Sequence, residues 1–415
     1  MKMSTTSASR KVPLWASTAA ILIALSGPTL ADDTEVSEPL PVAGYENGFF
    51  IQDPGGGFRL VVGATAQPLF AWKSEEAHTE DIDGVTGDTV VLGRTDREPE
   101  YAFLIRRARL KLKGHAFSPR VTYCFMADFA RGSTILHDYH LDFALAPGVL
   151  HMRLGSYKRP FSREQVTSSG RLELVDRSIA NKAFGQGRDL GLMFHNGYEK
   201  SPIFEWALGV FNGTGEKPWF EGALEEDDAG EIAGISSKSK FDNIPDRFHP
   251  MVVARIGYNR GKLKGYSEAD LEGGPLRFGT GLSGIVDFDS DGGSDSNIRG
   301  ELDFILKAAG FSLTCAAYVM SSQDGDDFSS QAYASWGLNV QTGYVIKGMV
   351  QPVLRYALVD LEGDDNNVQE ITGGLSVYVF GHNLKWQVDG GGILREHEAG
   401  DLVDHLVRTQ VTLSF

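Results

Sequence analysis

From Leu104 to Gly114 the chain reads Leu-Ile-Arg-Arg-Ala-Arg-Leu-Lys-Leu-Lys-Gly, with Arg107, Arg109, Lys111 and Lys113 at every second position and Ala108, Leu110 and Leu112 between them. Side chains of an extended strand alternate between faces, so this pattern predicts one wholly cationic and one wholly aliphatic face. The period recurs. Val121 to Phe129 sends Val121, Tyr123, Phe125 and Phe129 one way and Thr122 and Asp128 the other; Ile135 to Phe143 sets Asp138, His140 and Asp142 against Tyr139, Leu141 and Phe143. In Leu150 to Leu154 the polar face carries His151 and Arg153. His137 and His140, three apart on one strand, are expected on opposite faces. A soluble β-sandwich alternates in the same way, so the period alone leaves both architectures open.

The connections favour one of them. Polar runs at 75–100, 221–231, 287–295, 324–327, 360–370 and 396–404 hold most of the acids and read as loops. Phe380-Gly-His-Asn383, by contrast, fits a tight turn between the alternating segments Leu375–Val379 and Leu384–Val388. Long loops on one side and tight turns on the other are the asymmetry of a transmembrane barrel, in which a cationic face would line a water-filled lumen and attract anions. The segment Val407 to Phe415 puts Val407, Val411, Leu413 and Phe415 on one face and Arg408, Gln410 and Thr412 on the other. An apolar, aromatic-ended last strand suits the lipid-facing band of such a barrel.

The first residues support export. Lys2, Arg10 and Lys11 precede the mostly apolar Leu14–Leu25, and Thr29-Leu-Ala31 offers small residues before Asp32, which predicts a signal peptide over 1–31. No other stretch approaches eighteen uninterrupted apolar residues, so a spanning structure must be a closed barrel. Residues 32–47 are expected as a short periplasmic or flexible segment and 48–415 as the barrel. Glycine is abundant at 49 residues, and Phe and Tyr, at 24 and 13, suit a barrel whose strands face lipid on one side and water on the other. The formal charge of −16 becomes about −19 without the three cations of the signal. This acidity argues against nucleic acid as a partner, and it resides in the loops. Cys124 and Cys315 lie far apart on opposite kinds of face, and no disulfide is expected.

Several stretches together resemble the phosphate-selective porin O and P family of Gram-negative outer membranes: Phe103–Gly114, Leu154-Gly-Ser-Tyr-Lys-Arg-Pro-Phe-Ser162, Thr167-Ser-Ser169, Gly187-Arg-Asp-Leu-Gly191, Leu208-Gly-Val-Phe-Asn-Gly213 and Gly381-His-Asn-Leu-Lys385. They occur in order from about Gly48 to Phe415. The resemblance implies an all-β transmembrane antiparallel barrel of sixteen strands in the outer membrane, contacting lipid. It further implies a homotrimer whose pores are each narrowed by an infolded loop and lined by arginine and lysine. The expected solutes are inorganic anions such as phosphate or polyphosphate, passing passively, with no cofactor and no metal.

The candidate pore-lining residues follow. Arg107, Arg109, Lys111 and Lys113 form a ladder with steps of ~7 Å, short enough for an anion to pass between neighbours. Arg106 breaks the alternation. It either snorkels from the lipid face or is turned inward by a bulge, and the resemblance places an adjacent arginine pair at the constriction. Arg153 comes from the next polar face. The stretch Lys158 to Arg177 is the candidate infolded loop, which adds Lys158 and Arg171, and Asp138 or Asp142, with Asp138 preferred, is the carboxylate expected to orient the cations. Family members with sharp phosphate preference carry lysines around the Thr-Ser-Ser run, where this chain has Gln165 and Gly170.

Other chemistry finds little footing. There is no Gly-x-Ser-x-Gly, no His-Glu-x-x-His, no paired-cysteine metal spacing and no Gly-rich phosphate cradle. Asp287-Phe-Asp-Ser-Asp-Gly292 opens like a calcium loop, but its twelfth position is Ile298, not Glu. The chain is therefore not expected to be an enzyme. The alternatives are a general diffusion porin with weak selectivity and a secreted β-rich hydrolase acting through paired carboxylates.

Overall fold

The computed structural model describes residues 42–415 except 83–88, 131–133, 186, 214–219, 227–231, 240–249, 289–295, 324–331, 362–366 and 398–399. The expected export signal, most of segment 32–47 and the Asp-rich run from residue 289 lie outside the described residues.

Sixteen antiparallel strands form the wall. They are β1 (Arg59–Ser74), β2 (Glu100–Ala116), β3 (Ser118–Asp128), β4 (Ile135–Ala146), β5 (Leu150–Lys158), β6 (Arg188–His195), β7 (Phe204–Phe211) and β8 (Met251–Arg260), followed by β9 (Arg277–Asp287), β10 (Ser296–Ala308), β11 (Phe311–Gln323), β12 (Ala332–Tyr344), β13 (Val350–Asp360), β14 (Asn367–Phe380), β15 (Leu384–Arg395) and β16 (Leu402–Ser414). Each pairs with its neighbour in sequence, and β16 pairs with β1 from Ser414 opposite Thr65 to His405 opposite Ser74, which closes the sheet. Closure leaves no unpaired edge in lipid. Two short strands, Ala43–Tyr45 and Phe49–Gln52, form a hairpin that pairs with the start of β1.

The connections fall into two classes by end. After the odd-numbered strands the chain makes its longer excursions. After the even-numbered strands it turns within a few residues, as at Phe117 or at Ala309-Gly310, both of positive φ in a two-residue hairpin. Two connections at that end are longer: residues 196–203, between β6 and β7, and above all residues 261–276, between β8 and β9. Two acidic runs expected as plain loops contain paired strands instead, Glu76–Ile82 with Thr89–Asp96 and Phe220–Glu226 with Ile232–Ser239. Backbone pairing needs no apolar face, so a polar hairpin outside the ring hides from a hydrophobic pattern.

Outward positions carry aliphatics and aromatics. Phe103 is 88% exposed and Tyr101 and Phe380 are nearly as open, while Val407, Val411 and Leu413 on β16 are outward and Arg408, Gln410 and Thr412 are buried inward. This is the inverse of a soluble protein, as lipid solvation demands. The packed apolar core lies inside the barrel, where Phe161 and Phe184 meet Tyr318, Met193 and Phe211.

Candidate functional site

The ladder strand owes its geometry to a proline. Gln67 pairs with Arg107 and Pro68 pairs with Ile105, so Arg106 is an extra residue on β2. Proline has no N–H to give the ladder, and in sheets it belongs at edges and bulges. Before the bulge Tyr101, Phe103 and Ile105 face out; after it Leu110 does, and Arg106 and Arg107 both turn inward. The lipid-facing option for Arg106 is thereby excluded. A second bulge, between Met126 and Ala127 on β3, makes His137 an extra residue on β4. His137 therefore faces the lumen together with His140, contrary to the simple alternation.

Residues 159–187 fold into the lumen and are held on every side. Helix α1 (Arg163–Val166) starts at Ser162, a non-glycine at φ 64° whose Oγ accepts from the Gln165 N–H and meets Tyr318 Oη at 3.1 Å. Its last carbonyls take donors from two cations: Lys158 Nζ donates to the carbonyls of Gln165, Val166 and Thr167, and Arg177 to those of Glu164, Gln165 and Thr167. Cations satisfy the orphan carbonyls of a helix end and suit its dipole. Helix α2 (Ile179–Phe184) is capped by Ser178, and its Phe184 stacks on Tyr318 with ring centroids 5.6 Å apart.

Between these helices the chain reaches the far wall. Lys385 donates to the Leu172 carbonyl at 2.6 Å, Ser376 to the Glu173 carbonyl at 2.6 Å, and the Val175 N–H to Asp389 at 2.8 Å. The Glu173 carboxylate accepts from Ser312, Gln341 and Gln351. This half of the lumen is filled.

Open space remains along β2 to β6. A chamber of about 340 Å3 lies toward the long-loop end, beside Arg106, Arg107, Ala130 and Ile135. A second, of about 740 Å3, lies toward the tight-turn end, beside Lys111, Lys113, Arg171 and Lys200. The two share four lining residues, Arg109, Lys158, Ser169 and Arg188, which mark the neck between them.

All nine sequence-predicted residues line these chambers, in different states. Arg106 donates to Asp176 at 3.0 Å, and Arg107 donates to Gln67 at 2.8 Å with Asp176 3.7 Å away. Arg109 binds Asp128 at 2.8 Å and reaches Ser169 at 3.4 Å. Asp138 accepts from Arg188. Arg153 is clasped between Asp142 and Glu199, both at 2.9 Å, and Lys158 holds the loop carbonyls. Lys111, Lys113 and Arg171 form no ion pair among the described residues. Sequence reasoning missed Arg188 in the neck, although it sits in the quoted Gly187–Gly191 stretch. It also missed the stacked rings of His151 and His195, whose nitrogens both meet Asp142, at 3.0 and 2.8 Å.

Loop charges are set by these pairs. Burial opposes ionisation of Asp176, but Arg106, Arg408 and Arg107 outweigh it and hold its carboxyl at about 2. Burial likewise opposes the charge of Glu199, and Arg153 brings it down to about 2. Glu268 goes the other way, pushed up by burial and by Glu173 beside it.

The sequence model of the phosphate-selective porin O and P family matches residues 87–233, which span the ladder, the neck and the infolded loop. Over that stretch, about a third of its length, the chain is similar to this family. The porin fold is shared with an anion-selective porin from Comamonas acidovorans, at TM-score 0.54 and 11% identity over 86% of this chain and 99% of that one. It is shared equally with the outer membrane channel DcaP of Acinetobacter baumannii, at TM-score 0.54 and 13% identity over 86% of this chain and 98% of that one. An uncharacterized protein of Aquifex aeolicus (strain VF5) is 25% identical over 323 residues, 71% of this chain and 68% of that protein.

Proposed function

We propose that the protein is an outer-membrane porin that passes small hydrophilic solutes passively with a preference for anions of the phosphate or polyphosphate kind. In this reading it is exported with residues 1–31 removed and works as a homotrimer of separate pores, as the family resemblance implies.

One observation carries the preference: the wider chamber presents Lys111, Lys113 and Arg171 with no direct ion pair among the described residues, directly below a neck lined by Arg109, Lys158 and Arg188. An anion entering the neck meets guanidinium groups whose forks match its acceptor oxygens. Asp128 and Asp138 already occupy part of those forks, which keeps the neck from holding the ion too tightly. Transit requires sites that bind weakly enough to release, and the lysines below offer the next step.

The pairing of the neck arginines also favours a second reading, a general diffusion porin in which the free lysines only bias selectivity. Planar-bilayer recording separates the two. Selective transport predicts that millimolar phosphate reduces the chloride current by competing for the neck, whereas a general porin shows no such block.

A further inference from the structure

The lumen is narrowed from both ends. Turn 261–276 enters from the tight-turn end, and its Leu263, Tyr266, Glu268, Ala269 and Asp270 are buried. Its base is pinned: Asp270 is paired with Arg277, its carboxylate accepts from the Gly310 N–H at 2.9 Å, and Lys307 donates to the Ala269 carbonyl at 2.9 Å. Tyr266 donates to Glu205 at 2.7 Å and carries the Arg163 guanidinium over its ring at 4.3 Å.

The tip of this turn clasps the infolded loop around Arg171. The Glu268 N–H donates to the Arg171 carbonyl at 3.3 Å, and the Glu268 carboxylate accepts from the Glu173 N–H at 2.7 Å and from Gln341 at 3.0 Å. Gly265, at φ 61°, brings bare backbone alongside the Arg171 guanidinium, where an added Cβ would lie 3.8 Å from Nη1. The Arg171 carbonyl and the Glu173 N–H, on either side of Leu172, are thus both held by one residue of a segment that enters from the opposite end.

We propose that turn 261–276 is a second constriction element and that Glu268 is the positioning residue that holds Arg171 in the exit chamber. The inference rests on the porin reading. Arg171 reaches that chamber from the infolded loop instead of the wall and has no ion pair among the described residues, so its place depends on what clasps the loop. Without the clasp, residues 171–173 lose the partner on their turn-end side and the guanidinium samples a wider, less charged exit.

Bilayer recordings of the full-length protein and three variants test this. Glu268→Ala is expected to raise conductance roughly twofold and move the reversal potential toward zero as the charged lining recedes. Glu268→Gln keeps an acceptor for the Glu173 N–H and is expected to stay near the parent. Glu268→Asp keeps the charge but shortens the reach, and is expected to shift in the same direction as alanine by a smaller amount; it serves also if the alanine variant does not assemble. In an Arg171→Ala background, Glu268→Asp should leave the reversal potential unmoved, since coupled residues are not additive. The proposal is overturned if Glu268→Gln shifts as far as Glu268→Ala, which would make the effect one of charge alone, or if Glu268→Asp matches the parent. Parent protein that opens no pores overturns the porin reading itself.

Discussion

Arg106 Nη2 stands 3.0 Å from Asp176 Oδ1, although strict alternation along its strand would send that guanidinium into lipid. The extra residue opposite Pro68 turns it inward, and Asp176 on the infolded loop is met there also by Arg408 at 3.0 Å. One carboxylate therefore ties the loop to both the ladder strand and the last strand. Replacing it by alanine removes one carboxylate from three buried or half-buried arginines, of which Arg408 keeps Asp389 and Arg107 keeps Gln67. Asp176→Ala should destabilise the barrel by about 3 kcal/mol, on the scale for breaking a buried pair, measured as the urea midpoint of unfolding in detergent. Its reversal potential should move further toward the anion limit, because the path loses a negative charge.

The loop is also held by packing. Phe184 is fully buried, stacks on Tyr318, and lies where a side chain on Gly337 would stand, 2.4 Å from its Cε2. Phe184→Ala should cost about 3–5 kcal/mol, as for other large-to-small changes in packed cores. It should also increase open-channel current noise as α2 loosens from β11 and β12. Unchanged noise with lowered stability would mean that α2 does not border the conducting space.

The two native thiols give an internal control. Cys124 lines the wider chamber, and Cys315 lies on β11 opposite outward-facing Val340. A negatively charged thiol reagent should block current through Cys124 about tenfold faster than a positively charged one of equal size, because a cationic path concentrates anions. Cys124→Ser should abolish the block and Cys315→Ser should not.

Acid acts on two loop carboxyls with opposite signs. Asp176 has a folded-state value lowered from 3.8 to about 2, so its contribution is present above 3.8 and lost as pH falls through 2. Glu268 has a folded-state value raised above 4.5, so its contribution is complete below 4.5 and declines as pH rises through the raised value. Stability should therefore increase on acidification from neutrality toward pH 4.5 and collapse only as pH approaches 2. A series of unfolding midpoints against pH checks both limbs.

Much of this was legible in the chain. Alternation from Arg107 to Lys113 and from Val407 to Phe415 gave the inward and outward faces correctly, because in a barrel each strand has water on one side and lipid on the other. The turn at Phe380–Asn383 and the infolded stretch beginning at Lys158 were equally readable from turn chemistry and from a proline-bearing break after a strand. The failures share a cause: each depends on a partner remote in sequence. His137 turns inward because Met126 and Ala127 on the neighbouring strand are out of step with it. Arg188 becomes a neck residue through Asp138, fifty positions away. Turn 261–276 has the Gly- and acid-rich composition of an exposed loop, and only Arg171, Glu173 and Gln341 reveal that it is buried. For Arg106 a local signal existed, since Pro68 lies opposite the bulge, but reading it requires the strand register.

The central claim is that cations on the inner face of β2 select the solute. The reversal potential in a tenfold potassium chloride gradient tests it most directly, comparing the parent with a Lys111→Ala, Lys113→Ala double variant. These lysines form no ion pair among the described residues, so the barrel should assemble normally. The account predicts a parent potential on the chloride side that moves toward zero in the variant. A parent potential on the potassium side, or a variant indistinguishable from the parent, would contradict it.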